Sequence, residues 1–192
     1  MKVIIASNNK NKIREIKAIF DDVFDAVLSM SEAGLDMDIE ENGHSFEENA
    51  RIKARAVMEA THCAALADDS GLTVDALDGA PGIYSARYAG MHGDDEANND
   101  KLLDVMKDVP DDQRQAAYRC AVVLVYPDGR EYIGEGSCPG VILRERMGNG
   151  GFGYDPLFYM PGEHCSMAQL DPERKNQISH RARALEKLRE QL

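Results

Sequence analysis

The chain has 192 residues and carries 34 acidic against 22 basic side chains, a net charge of −12. That length fits one domain with a real core, and the acidic balance argues against broad contact with nucleic acid backbones, which need a basic face. No apolar run approaches a membrane span and no signal-peptide pattern opens the chain. The four cysteines, at 63, 120, 138 and 165, lack zinc-finger or Cys-x-x-Cys spacing and read as reduced thiols. A single domain over residues 1–192 is expected, working in the cytoplasm with neither a membrane nor a nucleic acid polymer as partner.

Residues 3–6 read as a short apolar strand. It runs through Ser7-Asn8-Asn9-Lys10-Asn11-Lys12 into a helix over 10–20, with Ile13, Ile16 and Phe20 on one stripe. The first N–H groups of a helix are unpaired and carry partial positive charge, so a turn crowded with lysine and asparagine suits a phosphate. The turn contains no glycine and is neither a P-loop nor a dinucleotide fingerprint. As bare pattern, a polar strand-to-helix turn explains it equally well.

Val23 to Leu28 is a second strand. Glu40-Glu41 could hold a hard cation or merely complement the helix that follows. That helix is announced by the capping box Ser45-Phe46-Glu47-Glu48. It has Ala50, Ala54 and Val57 on an inner face and Asn49 and Lys53 sharing a neighbouring one. Ala64 to Ala67 is a buried strand ending on Asp68-Asp69-Ser70-Gly71. Two carboxylates there are costly unless hydrated, paired or metal-bound, although the same residues make turns. A strand is expected over Leu72 to Leu77, an ordered glycine-rich loop over 78–92, and a helix from Asp94 to Asp108.

Residues 116–126 form the clearest strand. Pro127-Asp128-Gly129 turns it into a partner over 130–137, and a third strand is expected through Val141-Ile142-Leu143. In Gly150-Gly151-Phe152-Gly153-Tyr154-Asp155-Pro156 a flexible backbone with two aromatics could let a flat ring approach and stack. Ser179 should cap a last helix with Ala182, Leu185, Leu188 and Leu192 inside. Arg181 in its first turn works against the helix dipole, a local conflict that points to a purpose beyond helix stability. This order of elements implies an α/β fold, a mixed sheet with helices packed on it.

Six segments in register resemble one family: Ser7-Asn-Asn-Lys-Asn-Lys12, Ser45-Phe-Glu-Glu-Asn49 with Lys53, Ala67-Asp-Asp-Ser-Gly-Leu72, the stretch Gly79 to Gly90, Gly151-Phe-Gly-Tyr-Asp-Pro156, and Ser179-His-Arg181. The family is the inosine/xanthosine triphosphate pyrophosphatases, and the likeness spans nearly the whole chain. It implies an elongated α/β fold with a long mixed sheet, two lobes and a central cleft. It also implies a homodimer, Mg²⁺ dependence, and cleavage of a small-molecule nucleoside triphosphate to monophosphate and pyrophosphate. Where the family has Thr-Gly-Asn, this chain has Ser7-Asn8-Asn9. Asparagine is the residue that best tolerates a left-handed backbone after glycine, which keeps such a turn open.

Carried over residue by residue, the resemblance puts the turn Ser7, Asn8, Asn9, Lys10, Asn11 and Lys12 on the phosphates, with Lys53 beside them. It makes Asp69 the general base and, with Glu41, a metal ligand, while Asp68 and Glu40 are neighbours that could take the metal role. Ser70, Phe152, Gly153, Tyr154, Asp155, Lys175, His180 and Arg181 surround the nucleotide. Phe152 or Tyr154 would stack on the base. Donors from His180, Arg181 or nearby backbone would pair with the purine 6-carbonyl and disfavour adenine, a discrimination of roughly 10⁴-fold for a hydrogen-bonding site. Three other readings remain at this point: a pyrophosphatase for pyrimidine or modified bases, a phosphatase releasing single phosphates, and a nucleotide-binding protein without turnover.

Overall fold

The computed structural model describes residues 1–192. Seven strands form one mixed sheet: β1 Lys2–Ile5, β2 Ala26–Ser29, β3 Ala64–Val74, β4 Gln115–Val125, β5 Glu131–Ile142, β6 Phe158–Met160 and β7 Cys165–Ser166, in the order β2-β1-β3-β4-β5-β6-β7. Strand β1 runs parallel to both β2 and β3, while β6 is antiparallel to β5 and β7. Five α-helices accompany it: α1 Lys10–Phe20, α2 Phe46–Thr61, α3 Asp95–Val105, α4 Pro172–Ile178 and α5 His180–Arg189. The expected α/β class with a mixed sheet and flanking helices is what the chain adopts.

The chain divides into two compact units, each assembled from separated segments: Met1–Asp69, Cys120–Gly136 and His180–Leu192 in the first, Ser70–Arg119 and Ser137–Ser179 in the second. In the first unit the period-2 alternation of the strands sends side chains to two apolar layers. Val3, Ile5, Leu66, Val122 and Leu124 pack with Ile16 and Phe20 of α1 and with Ala184, Leu185 and Leu188 of α5. Ile4, Ala65, Ala67, Val123 and Val125 face the other way, onto Ala50, Ala54 and Val57 of α2. Strands covered on both faces read as continuous apolar runs, which is why residues 3–6 and 64–67 lack polar alternation.

The second unit has its own core of Leu72, Val74, Leu102, Met106, Tyr118, Ile142, Leu157 and Phe158. Beside it lies a buried cation with no carboxylate partner. The Arg114 guanidinium donates to the carbonyls of Ile142 (2.8 Å), Met106 (2.6 Å), Val109 (3.1 Å) and Leu143 (3.0 Å). It thereby fastens the end of α3 and the end of β5 to the start of β4.

Several local expectations are corrected. Asp68-Asp69-Ser70-Gly71 does not end a strand; β3 runs unbroken from Ala64 to Val74, because cations satisfy both carboxylates within the sheet. Leu77 lies in a short 3-10 turn after β3, and residues 82–87 of the glycine-rich stretch form another. Strand β2 begins at Ala26, since the Val23 and Phe24 N–H groups turn back to the Phe20 carbonyl. Strand β5 is one element through Pro139 and Gly140, where two were expected. A Cβ at Gly140 would come within 2.5 Å of the Phe158 ring, so its bareness admits that ring. Helix α3 stops at Val105, α4 was not anticipated, and Leu192 is exposed beyond the end of α5. Asn8 is not left-handed, a conformation the non-glycine residues adopt only at His62, Asp78 and His164.

Helix α5 rests directly on strand backbone. A Cβ at Gly134 would collide with the Ala184 carbonyl oxygen, and one at Gly136 with the His180 carbonyl oxygen. The substitution Gly136→Ala should therefore lift the first turn of α5 and cost about 1–3 kcal/mol of stability. An unchanged midpoint in urea unfolding would show that the helix has room to spare.

Candidate active site

The first unit gathers most of the residues singled out in the sequence. Asn9 is the N-cap of α1: its Oδ1 accepts from the Asn11 N–H at 3.0 Å and the Lys12 N–H at 3.2 Å, while Ser7 Oγ accepts from the Asn9 N–H at 3.2 Å. The turn is thus held by its own side chains. Asn8 and Lys10 stand exposed beside it, and Asn11 Oδ1 accepts from Arg14 Nη2.

Lys12 reaches inward. Its Nζ lies 3.1 Å from Asp68 Oδ2, and Arg181 Nε donates to the same oxygen at 3.0 Å. Arg181 is 1% exposed, and its Nη1 also meets Glu15 Oε2. Burial alone would push the Asp68 carboxyl up, but the charges of Lys12, Arg181 and Lys53 outweigh it and hold the group well below the usual carboxylate range. The Cys120 thiol lies 4.0 Å from the same oxygen, and burial, with Asp68 nearby, raises it far above an ordinary thiol.

Asp69 points to the opposite side of β3, as alternation requires. Asn49 Nδ2 donates to its Oδ2 at 3.0 Å, and Asn49 Oδ1 in turn accepts from the Gly43 N–H at 2.9 Å. Lys53 Nζ stands 3.2 Å from Glu41 Oε1 and 3.9 Å from Asp69 Oδ1. Helix α2 places Asn49 and Lys53 one turn apart, and its start is fixed by Ser45 Oγ accepting from the Glu48 N–H at 3.1 Å. Glu48 does not complete the expected box; its carboxylate accepts from the His44 N–H instead. Burial, the largest influence, raises the Asp69 carboxyl, and Glu41 raises it further, while Lys53 and Lys12 restrain the shift.

A hard divalent cation fits this chemistry. Glu41 and Asp69 are two carboxylates flanking one lysine, and the nearby Glu41 charge raises the Asp69 carboxyl, a repulsion that a cation would relieve. No three His, Cys, Asp or Glu side chains converge into a full ligand cage. That matches the habit of Mg²⁺, which takes one or two carboxylates and fills its octahedron with water and phosphate oxygens.

The second unit holds the other set. Lys175 Nζ pairs with Asp155 Oδ2 at 2.7 Å, both side chains buried, and the Phe152 N–H donates to the same oxygen at 3.1 Å. The hydroxyl of the buried Tyr118 bonds the Asp155 carboxyl as well. Lys175 Nζ sits 4.4 Å from the centroid of the half-buried Phe152 ring. The backbone of Gly153 is clamped by α3: its N–H donates to Asp95 Oδ2 at 2.7 Å and its carbonyl accepts from Asn99 Nδ2 at 2.8 Å. Gly151 has a positive φ, and a Cβ there would collide with the Asp155 carboxylate. Tyr154 is a core residue whose hydroxyl donates to the Ser85 carbonyl at 2.8 Å, whereas the Phe152 ring is half-buried. Ser70 begins this unit on β3, half-buried.

His180 and Arg181 are both buried in the first unit. Sequence reasoning missed Glu15, Tyr118, Asp95 and Asn99, and left Asp68 as a mere neighbour. None of these four had a readable signal, whereas Asn49, which bonds Asp69, had one in its shared helix face with Lys53.

Buried acids set against lysines, beside the amino-terminal turn of a helix on an α/β sheet, define an enzyme that works on phosphate groups. The chain belongs to the Ham1 family, whose pattern it matches over residues 3–191. A dITP/XTP pyrophosphatase of Desulforamulus reducens is 52% identical over 190 residues, covering 99% of this chain and 94% of that protein. The Ham1 protein of Staphylococcus aureus superposes with a TM-score of 0.86 at 45% identity, covering 97% of this chain and 95% of that one. A HAM1 protein from Coxiella burnetii gives 0.88 at 41%, covering 98% and 96%.

Replacing Lys175 with Met should leave Asp155 as a buried charge stripped of its cation, at a cost of about 3–5 kcal/mol in urea unfolding. Adding Asp155→Asn should recover part of that loss. A single Lys175→Met variant as stable as the parent would mean the pair is not buried as described.

Proposed function

We propose that this protein hydrolyses deaminated purine nucleoside triphosphates, dITP, ITP and XTP, to the monophosphate and pyrophosphate, with Mg²⁺ as cofactor. The whole of residues 1–192 serves as one functional domain. The observation that carries the reading is the pairing of Asp69 with Glu41 across Lys53, one strand position from the Lys12–Asp68 pair at a helix amino terminus. Curated relatives near 50% identity bear the name dITP/XTP pyrophosphatase, which supports it.

In this reading the phosphates lie on the turn at the amino terminus of α1, with Lys12 and Lys53 offsetting their charge. As the bond between the α- and β-phosphates breaks, charge grows on the departing pyrophosphate, and the two ammonium groups stabilise it. Asp69 orients a water for in-line attack on the α-phosphorus and takes its proton. Burial makes Asp69 a stronger base than a surface carboxylate, and Asn49 fixes its direction. Glu41 and Asp69 would hold the Mg²⁺, which would supply further positive charge against the phosphate oxygens.

The second unit, taken by itself, offers Phe152 and Lys175 as groups suited to a purine base. Phe152 offers a ring face. An ammonium group such as Lys175 favours a 6-carbonyl over a 6-amino group, so inosine and xanthosine are accepted and adenosine is not. The free thiols accord with a reaction in the cytoplasm, and no helix is long and apolar enough to cross a membrane. Homodimer assembly, which the family resemblance implies, belongs to the same reading.

The test is turnover of inosine, xanthosine, guanosine and adenosine triphosphates with Mg²⁺, with pyrophosphate and orthophosphate assayed separately. Fast pyrophosphate release from the first two and little from adenosine triphosphate is expected; orthophosphate alone would move the chain to the phosphatases, and binding without product to the non-catalytic proteins. Asp69→Asn should keep the fold and lose most of kcat, about 10²-fold or more. Phe152→Ala should raise KM with little change in kcat, and an unaltered KM would remove the ring from base binding.

A further inference from the structure

We propose that Glu15 is a positioning residue for phosphate binding: it anchors Arg181 as the standing counter-charge of Asp68, so that Lys12 can leave Asp68 for the substrate. The inference rests on the proposed role of Lys12 at the phosphates.

Glu15 lies one turn after Lys12 on α1, and it is buried on the same face as the core residues Ile16 and Phe20. A carboxylate at that place is costly without a partner, and the partner is Arg181. Arg181 therefore lies between two acids, Glu15 and Asp68, that come from different elements, α1 and β3. Lys12 and Arg181 meet on one oxygen, Asp68 Oδ2. The two cations differ in freedom. The Lys12 side chain is 16% exposed, whereas that of Arg181 is 2% exposed and held at both ends. Only the lysine can turn toward an arriving phosphate.

When it does, Asp68, fully buried, must keep a cation, because a lone buried carboxylate is strongly unfavourable. Arg181 meets that need only if it stays put. A phosphate attracts a guanidinium as strongly as an ammonium, and Glu15 is the group that holds it back. The three charges Glu15, Arg181 and Asp68 thus form a fixed set, and Lys12 is the mobile member that trades one oxygen anion for another.

A double-mutant cycle between Glu15→Gln and Lys12→Met tests this, read by calorimetric Kd for inosine α,β-methylene triphosphate and by KM and kcat for inosine triphosphate. Glu15→Gln should weaken analogue binding and raise KM about tenfold, with a smaller effect on kcat, and should have under about twofold effect once Lys12 is Met. Glu15→Asp, which keeps the charge on a shorter arm, should bind closer to the parent, and it carries the same cycle if the Gln variant does not fold. Equal losses with and without Lys12 would reduce Glu15 to a tie between α1 and α5, and a parental Kd in Glu15→Gln would overturn the inference alone. A parent protein that does not bind the analogue would overturn the proposed function and this inference together.

Discussion

The organisation of the first unit depends on one carboxylate. Asp68 sits inside a strand covered on both faces, where an ion without partners would prevent the sheet from forming. Lys12 from α1 and Arg181 from α5 converge on a single one of its oxygens. Neither helix is adjacent to β3 in sequence. The charge that makes the strand expensive is therefore also what fixes where both helices must lie, and the turn that opens α1 is placed by the same requirement.

Adjacent residues of β3 then serve opposite ends. Asp68 faces the layer that contains Cys120, and its electrostatic environment drives it to a permanent negative charge. Asp69 faces Asn49 and Lys53, and burial raises its affinity for a proton. Two identical side chains one residue apart are pushed in contrary directions because strand alternation delivers them to different neighbours. A pair of acids in sequence is in this way converted into one structural anion and one candidate base.

Much of this was legible beforehand. The α/β class, the bounds of α1, the start of α2 and the inner faces of α2 and α5 follow from periodicity and capping, which act locally. The strand through Asp68-Asp69-Ser70-Gly71 was not legible, because its residues are turn formers by propensity and only distant cations reverse that preference. The same holds for β5, where Pro139 and Gly140 read as a break until Phe158 is seen to need the space at Gly140. Glu15 and Tyr118 carried no signal at all: each owes its place to a partner more than thirty residues away, Arg181 in one case and Asp155 in the other. Local grammar reveals elements, whereas a site built from tertiary ion pairs reveals only those members that happen to share a helix face.

The first unit is stitched from three stretches of chain, the last of them residues 180–192. That stretch carries Arg181, and until it is in place Lys12 is the only one of the two cations able to reach Asp68. Folding of this unit is consequently governed by long-range closure, which is slow and comes late. The folding chain must carry a charged, half-assembled sheet until α5 settles onto the bare backbone at Gly134 and Gly136. Docking of α5 and completion of the ion pairs on Asp68 are, for this protein, nearly the same event.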